Sequence, residues 1–196
     1  MAAVTFFGSS HACRNHNFPQ FFYPLFRGSD IFDYRAVDVI GVPGRKMDEE
    51  AVRDILNCAR FTAPRKHYLV VNLGTNNLRR RDWELGDYPE DLIGFYKDIA
   101  DAMESIPNCV LVIPSLIPSF RRDDILKDDY RRFTAHAKAL ASVKNNVNFF
   151  NFVKNLCVNN RLDPTCYWDD VHLSRRGARI YAESIYNYLE HNCSRP

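Results

Sequence analysis

Two kinds of apolar pattern alternate along the chain. Short runs in which nearly every residue is apolar occur at residues 4–7, 36–40, 68–73, 110–113 and 147–150, and Gly8, Gly41, Gly74 and Pro114 close the first four. Runs this short, rich in β-branched and aromatic residues and ended by turn formers, predict strands, and 68–73, apolar but for Asn72, suits a central strand covered on both faces. Between them the apolar residues recur at helical spacing: Val52, Ile55, Leu56 and Ala59; Leu92, Ile93, Tyr96, Ile99, Ala100 and Met103; Tyr130, Phe133, Ala137, Leu140 and Ala141; Ala178, Tyr181, Ala182, Ile185 and Leu189. Each set predicts a helix with one buried face. Asp48 and Ser174 are good N-caps for the first and last of these helices, and Pro89 suits a first helical turn. The aromatic, proline-bearing stretch 17–32 shows no clear period and predicts a loop with short helical turns. Gly-Val-Pro-Gly at 41–44 reads as a turn.

Strands alternating with helices call for parallel pairing, because each helix returns the chain to the same edge of the sheet. The predicted fold class is therefore α/β, a three-layer α/β/α arrangement on a flavodoxin-like parallel sheet of about five strands, in the order 2-1-3-4-5. At 196 residues the chain suits a single domain, 1–196, with a full core, and no repeat or linker interrupts it.

Composition adds limits. An apolar fraction of 46% supports a packed core, and a formal net charge of only +2 does not mark the whole molecule as a polyanion binder. The N-terminus lacks a basic region followed by an apolar one, and no stretch approaches the length of a membrane span, so a soluble, cytoplasmic protein is expected. The six cysteines, Cys13, Cys58, Cys109, Cys157, Cys166 and Cys193, include no C-x-x-C pair and are read as reduced structural thiols.

Chemistry concentrates where the strands end. In a parallel sheet every loop leaving a strand's carboxyl end lies along one edge, so distant residues converge there. Gly8-Ser9-Ser10 follows the first strand, and the turn makes Ser10 a candidate nucleophile. Gly44 follows the second strand and Asn76 the third. A serine nucleophile needs a base, and the base needs a carboxylate to fix its tautomer. Asp169 and His172, within 167–173 (Tyr-Trp-Asp-Asp-Val-His-Leu), offer both, with Asp170 a rival to Asp169. Tyr167 and Trp168 are expected to pack beneath this loop.

These stretches resemble, in order and over nearly the whole chain, the blocks of the SGNH hydrolases, also called the GDSL esterase and lipase family. The resemblance implies a serine esterase with a Ser10, His172 and Asp169 triad, an oxyanion hole from the backbone of Ser10 and Gly44 and the amide of Asn76, a small-molecule ester substrate, and no cofactor or metal. Two positions depart from the family pattern: Ser9 stands where an Asp is usual, and Asn77 follows the oxyanion Asn where an Asp is usual.

Arginines cluster just beyond these blocks, at Arg45, Arg79, Arg80, Arg81, Arg121, Arg122, Arg175 and Arg176. Gathered at one rim they would favour anionic ligands, either an acidic ester or single-stranded RNA. The RNA reading fits the alternative of an SGNH-like binding module, similar to the SGNH-like domains of Oskar and of LINE retrotransposon proteins. Asp82, Glu84, Asp123 and Asp124 lie close in sequence and leave open a merely solvated surface.

Overall fold

In the computed structural model, residues 1–13, 17–61, 65–78, 88–119 and 124–193 are described. Strands β1 (Ala2–Gly8), β2 (Phe32–Gly41), β3 (His67–Asn72), β4 (Cys109–Pro114) and β5 (Val147–Phe150) form one sheet in the order β2-β1-β3-β4-β5, every pair parallel. This is the expected fold and order. The helices are α1 (Phe18–Leu25), α2 (Glu49–Phe61), α3 (Thr75–Leu78), α4 (Pro89–Met103), α5 (Asp124–Val143) and α6 (Arg175–Cys193).

Neighbouring strand residues feed opposite layers, as the pleat requires. Phe6, Tyr68, Val70 and Val112 pack against α1 and α6, whereas Phe7, Leu69, Val71, Leu111 and Ile113 pack against α2, α4 and α5. Burial on both sides is why β1 and β3 read as continuous apolar runs. The caps act as expected: Asp48 Oδ1 accepts from the Ala51 N–H at 2.8 Å, and Ser174 Oγ accepts from the Gly177 N–H at 3.2 Å.

Three elements differ from the sequence expectation. The stretch 17–32 holds a true helix, α1, whose Phe18 and Phe22, with Phe26 just beyond, are fully buried at four-residue spacing. Pro19 sits in its first turn, where no N–H is missed, and Pro24 near its end. β2 starts at Phe32 rather than at 36; Tyr34 and Arg35 are exposed, which an edge strand tolerates. After β5 a small antiparallel hairpin forms from β6 (Cys157–Val158) and β7 (Arg161–Leu162), turning on Asn159 and Asn160 at φ 51° and 61°. Two successive left-handed residues are the mark of a type I′ hairpin turn.

Candidate active site

Gly41, Gly8 and Asn72 stand side by side in the sheet, so the chain leaves β2, β1 and β3 at one level. The connection from β1 runs to β2 on one side and β3 lies on the other; such a reversal opens a crevice at the carboxyl ends of the strands. Ser10, Gly44 and Asn76 all follow these ends.

Ser10 opens a single 3₁₀ turn, Ser10–Ala12, closed by the Ala12 N–H on the Ser9 carbonyl (3.0 Å) and the Cys13 N–H on the Ser10 carbonyl (3.1 Å). Ser9 is buried and Ser10 half-buried. The turn lies directly on Gly41, where a Cβ would strike the Ala12 carbonyl and approach Cys13 N to 2.6 Å. Only glycine lets the turn sit this close to β2.

Residues 42–45 form a β-turn, the Arg45 N–H donating to the Val42 carbonyl at 3.2 Å. Pro43 followed by Gly44 at φ +69° is the type II signature. Asn76 joins this turn to β3, its Nδ2 donating to the Arg45 carbonyl at 3.1 Å. Asn77, one of the two departures from the family pattern, is a brace: its Oδ1 accepts from the Met47 N–H (2.7 Å) and its Nδ2 donates to the Met47 carbonyl (2.8 Å). Beneath them the Tyr96 hydroxyl donates to the Leu73 carbonyl at 2.7 Å and accepts from the Leu73 N–H at 3.3 Å. It pins the end of β3 from the core. Neither contact was readable from spacing, since each joins residues more than twenty positions apart.

The stretch 167–173 folds back on itself. Tyr167 and Leu173 face each other as an antiparallel bridge, flanked by the Trp168 N–H on the His172 carbonyl (3.0 Å) and the Ser174 N–H on the Cys166 carbonyl (2.9 Å). Inside the bend Asp169 Oδ1 accepts from the N–H groups of Val171 (2.7 Å) and His172 (2.6 Å), and Asp169 Oδ2 meets His172 Nδ1 at 2.7 Å. Burial pushes the Asp169 carboxyl up, but the His172 N–H, the imidazole and the Val171 N–H outweigh it and hold the group down at about 2. Asp169 is thus a fixed anion that holds the imidazole through Nδ1. Asp170 is tied differently, its carbonyl accepting from Ser119 Oγ at 2.8 Å.

The two halves meet through His11, which follows Ser10 and is buried. Its ring centroid lies 5.6 Å from that of His172, tilted by 52°. His11 carried no signal beyond its place beside Ser10. Trp168 does not pack beneath the loop as expected: Tyr167 is 8% exposed and Trp168 72%.

The thiols Cys13, Cys58, Cys109, Cys157 and Cys166 are unbridged. Burial raises the pKa of each, to about 12 for Cys109, so none is poised as a thiolate at neutral pH. Of the arginines expected at the rim, Arg79, Arg80, Arg81, Arg121 and Arg122 lie outside the described residues. The other three are engaged within the chain: Arg45 with Asp54 at 2.7 Å, Arg176 with Asp163 at 3.3 Å, and Arg175 over the Phe21 ring at 5.8 Å. Among the described residues no three His, Cys, Asp or Glu side chains gather as metal ligands would, and no helix is long and apolar enough to cross a membrane.

The sequence and the fold are similar to those of known proteins. The sequence model of the GDSL-like Lipase/Acylhydrolase family matches residues 6–180. No curated protein sequence matches the chain. Among solved structures, a member of the lipolytic protein G-D-S-L family from Veillonella parvula is similar with a TM-score of 0.75 and 15% identity, over 97% of this chain and 99% of that one. A carbohydrate esterase family 3 protein from Talaromyces cellulolyticus gives 0.74 and 17%, over 98% of each chain. A GDSL-like lipase from Bacteroides thetaiotaomicron gives 0.69 and 16%, over 97% and 88%. At such identities the structures speak for the fold. The family match, running from β1 into α6, shows that the chain belongs to the GDSL-like lipase and acylhydrolase family, and so to the SGNH-type ester hydrolases.

Proposed function

We propose that the chain hydrolyses carboxylic esters of small molecules, with Ser10 as nucleophile, His172 as general base and then acid, and Asp169 as the carboxylate that orients it. The observation that carries this reading is the 2.7 Å contact between Asp169 Oδ2 and His172 Nδ1, on a loop that rests beside the Ser10 turn. Ser10 Oγ attacks the ester carbonyl while its proton passes to His172 Nε2; the same proton then goes to the departing alkoxide, leaving an acyl-serine. Water repeats the sequence and releases the acid. The imidazolium formed at each step lies against an anion that stays ionised well below neutral pH.

Developing charge on the carbonyl oxygen is met by the backbone N–H groups of Ser10 and Gly44 and by the Asn76 amide. The Asn76 side chain has two N–H bonds, and the one held by the Arg45 carbonyl fixes the direction of the other. Loss of one such donor typically costs about 3 to 4 kcal/mol of barrier. Cleavage of p-nitrophenyl acetate tests the reading: Ser10→Ala and His172→Ala should each lower kcat at least about 10³-fold. A wild-type rate no greater than that of Ser10→Ala would end it.

A further inference from the structure

Trp168 is an exposed indole where the other large aromatics among the described residues are mostly covered, and the fold of its loop says what it faces. In an antiparallel pair, residues directly opposite one another project to the same side, and adjacent residues to opposite sides. Tyr167 and Leu173 are one opposed pair and both are buried, at 8% and 5% exposure. The next pair is Trp168 and His172, joined by the 3.0 Å bond from the Trp168 N–H to the His172 carbonyl. Continued one step past the bridge, the alternation puts these two side chains on the outward face, and Trp168 is exposed there while His172 is half-buried.

We propose that Trp168 is the subsite for the alcohol half of the ester, and that this alcohol carries a ring whose flat face stacks on the indole. The inference rests on the esterase reading above and adds the substrate class. The assignment to the alcohol half follows from mechanism: His172 Nε2 must hand its proton to the leaving oxygen, so whatever flanks the imidazole meets the group attached to that oxygen. The assignment to a ring follows from shape. An indole offers a broad, rigid apolar face with a negative quadrupole, suited to offset stacking of an aromatic ring or to the C–H face of a pyranose.

Rigidity supports the same conclusion. Asp169 Oδ1 holds the N–H groups of Val171 and His172, and the bonds on either side of the Tyr167 and Leu173 bridge close the loop. The Trp168 backbone is held before any ligand arrives, so binding orders little further chain.

The test uses four acetates: benzyl acetate and a monoacetylated methyl glucoside as ring alcohols, hexyl acetate and ethyl acetate as linear ones. For Trp168→Ala, the ratio of kcat/KM for at least one ring acetate to that for hexyl acetate should fall roughly five- to tenfold, and Trp168→Phe should recover part of it. The ring acetate that falls identifies an aromatic or a sugar alcohol. Equal losses on all four esters, or none, overturn the proposal. A second readout does not depend on turnover. In a Ser10→Ala, Trp83→Phe background the fluorescence is that of Trp168, since Trp83 is the only other tryptophan. Saturable quenching by the preferred ring acetate, and not by hexyl acetate, supports the subsite even if the wild type cleaves no ester. Esterase activity without such quenching removes the subsite and leaves the esterase reading standing.

Discussion

Acidification should destabilise this fold through a histidine far from the candidate site. His67 begins β3, is 1% exposed, and places Nε2 2.9 Å from the Thr5 hydroxyl on β1. Burial lowers its pKa from 6.5 to about 4. The unfolded chain takes up the proton near the ordinary value, so between these limits the unfolded state binds more protons than the folded one, and stability falls as pH falls. Above about pH 6.5 both states are neutral and the group contributes no pH dependence. Passing down through pH 4, the loss rises toward a ceiling of about 3 kcal/mol, at about 1.4 kcal/mol per pH unit. That is a large share of the 5 to 15 kcal/mol, roughly, that holds a typical domain together. Urea unfolding at intervals from pH 7 to 4 measures it, with His67→Gln as the reference, because an amide keeps a hydrogen-bonding partner for Thr5 and does not titrate. The wild type should lose about 2 to 3 kcal/mol more than the variant over that range, while carboxylates and the other histidines cancel in the difference. Parallel curves, or an NMR titration showing the His67 ring protonated at pH 6 in the folded protein, would refute the reasoning.

Two further outcomes follow from contacts at the crevice. Asp169→Asn should lower kcat about 10²- to 10⁴-fold on p-nitrophenyl acetate and Asp170→Asn less than about tenfold, because it is Asp169 that meets His172 Nδ1; the reverse order would reassign the carboxylate. Tyr96→Phe removes a hydroxyl that serves both the N–H and the carbonyl of Leu73 in a fully buried place, and should cost about 1 to 3 kcal/mol in urea unfolding; an unchanged midpoint would mean that the end of β3 is held without it.

The parts of the fold that the sequence reveals are those whose environment is uniform along the segment. β1 and β3 lie under helices on both faces, so nearly every position is apolar and the run announces itself; α4 presents one constant face and shows a steady stripe. β2 is the counter-case. As an edge strand it carries Asp33, Tyr34 and Arg35 near its start, and the polar residues hide its first half. α1 is hidden by its two prolines, although Phe18, Phe22 and Phe26 keep a helical spacing and pack in sequence, the first pair stacked at 5.0 Å and the second edge to face at 4.9 Å between ring centroids. The hairpin of β6 and β7 is too short for a period and is signalled only by Asn159-Asn160.

At the candidate site the same distinction separates what is local from what is not. The Asp169 and His172 pairing lies within one bend, and a three-residue spacing is enough to suggest it. Spacing could not choose between Asp169 and Asp170, because that choice depends on which carboxylate the bend turns inward, and the bend is set by the opposition of Tyr167 to Leu173. The brace from Asn77 to Met47, the Tyr96 hydroxyl under Leu73 and the His11 ring beside His172 join segments that only the folded sheet brings together. Asn77 makes the point most sharply. As a departure from a family pattern it reads as a loss, yet its amide supplies a donor and an acceptor at once to one buried backbone unit, which a carboxylate cannot do. An aspartate there would accept from the Met47 N–H and turn its second oxygen on the Met47 carbonyl, two acceptors face to face. The asparagine therefore belongs to the way this chain joins its β2–α2 loop to α3, and the geometry behind Asn76 depends on it.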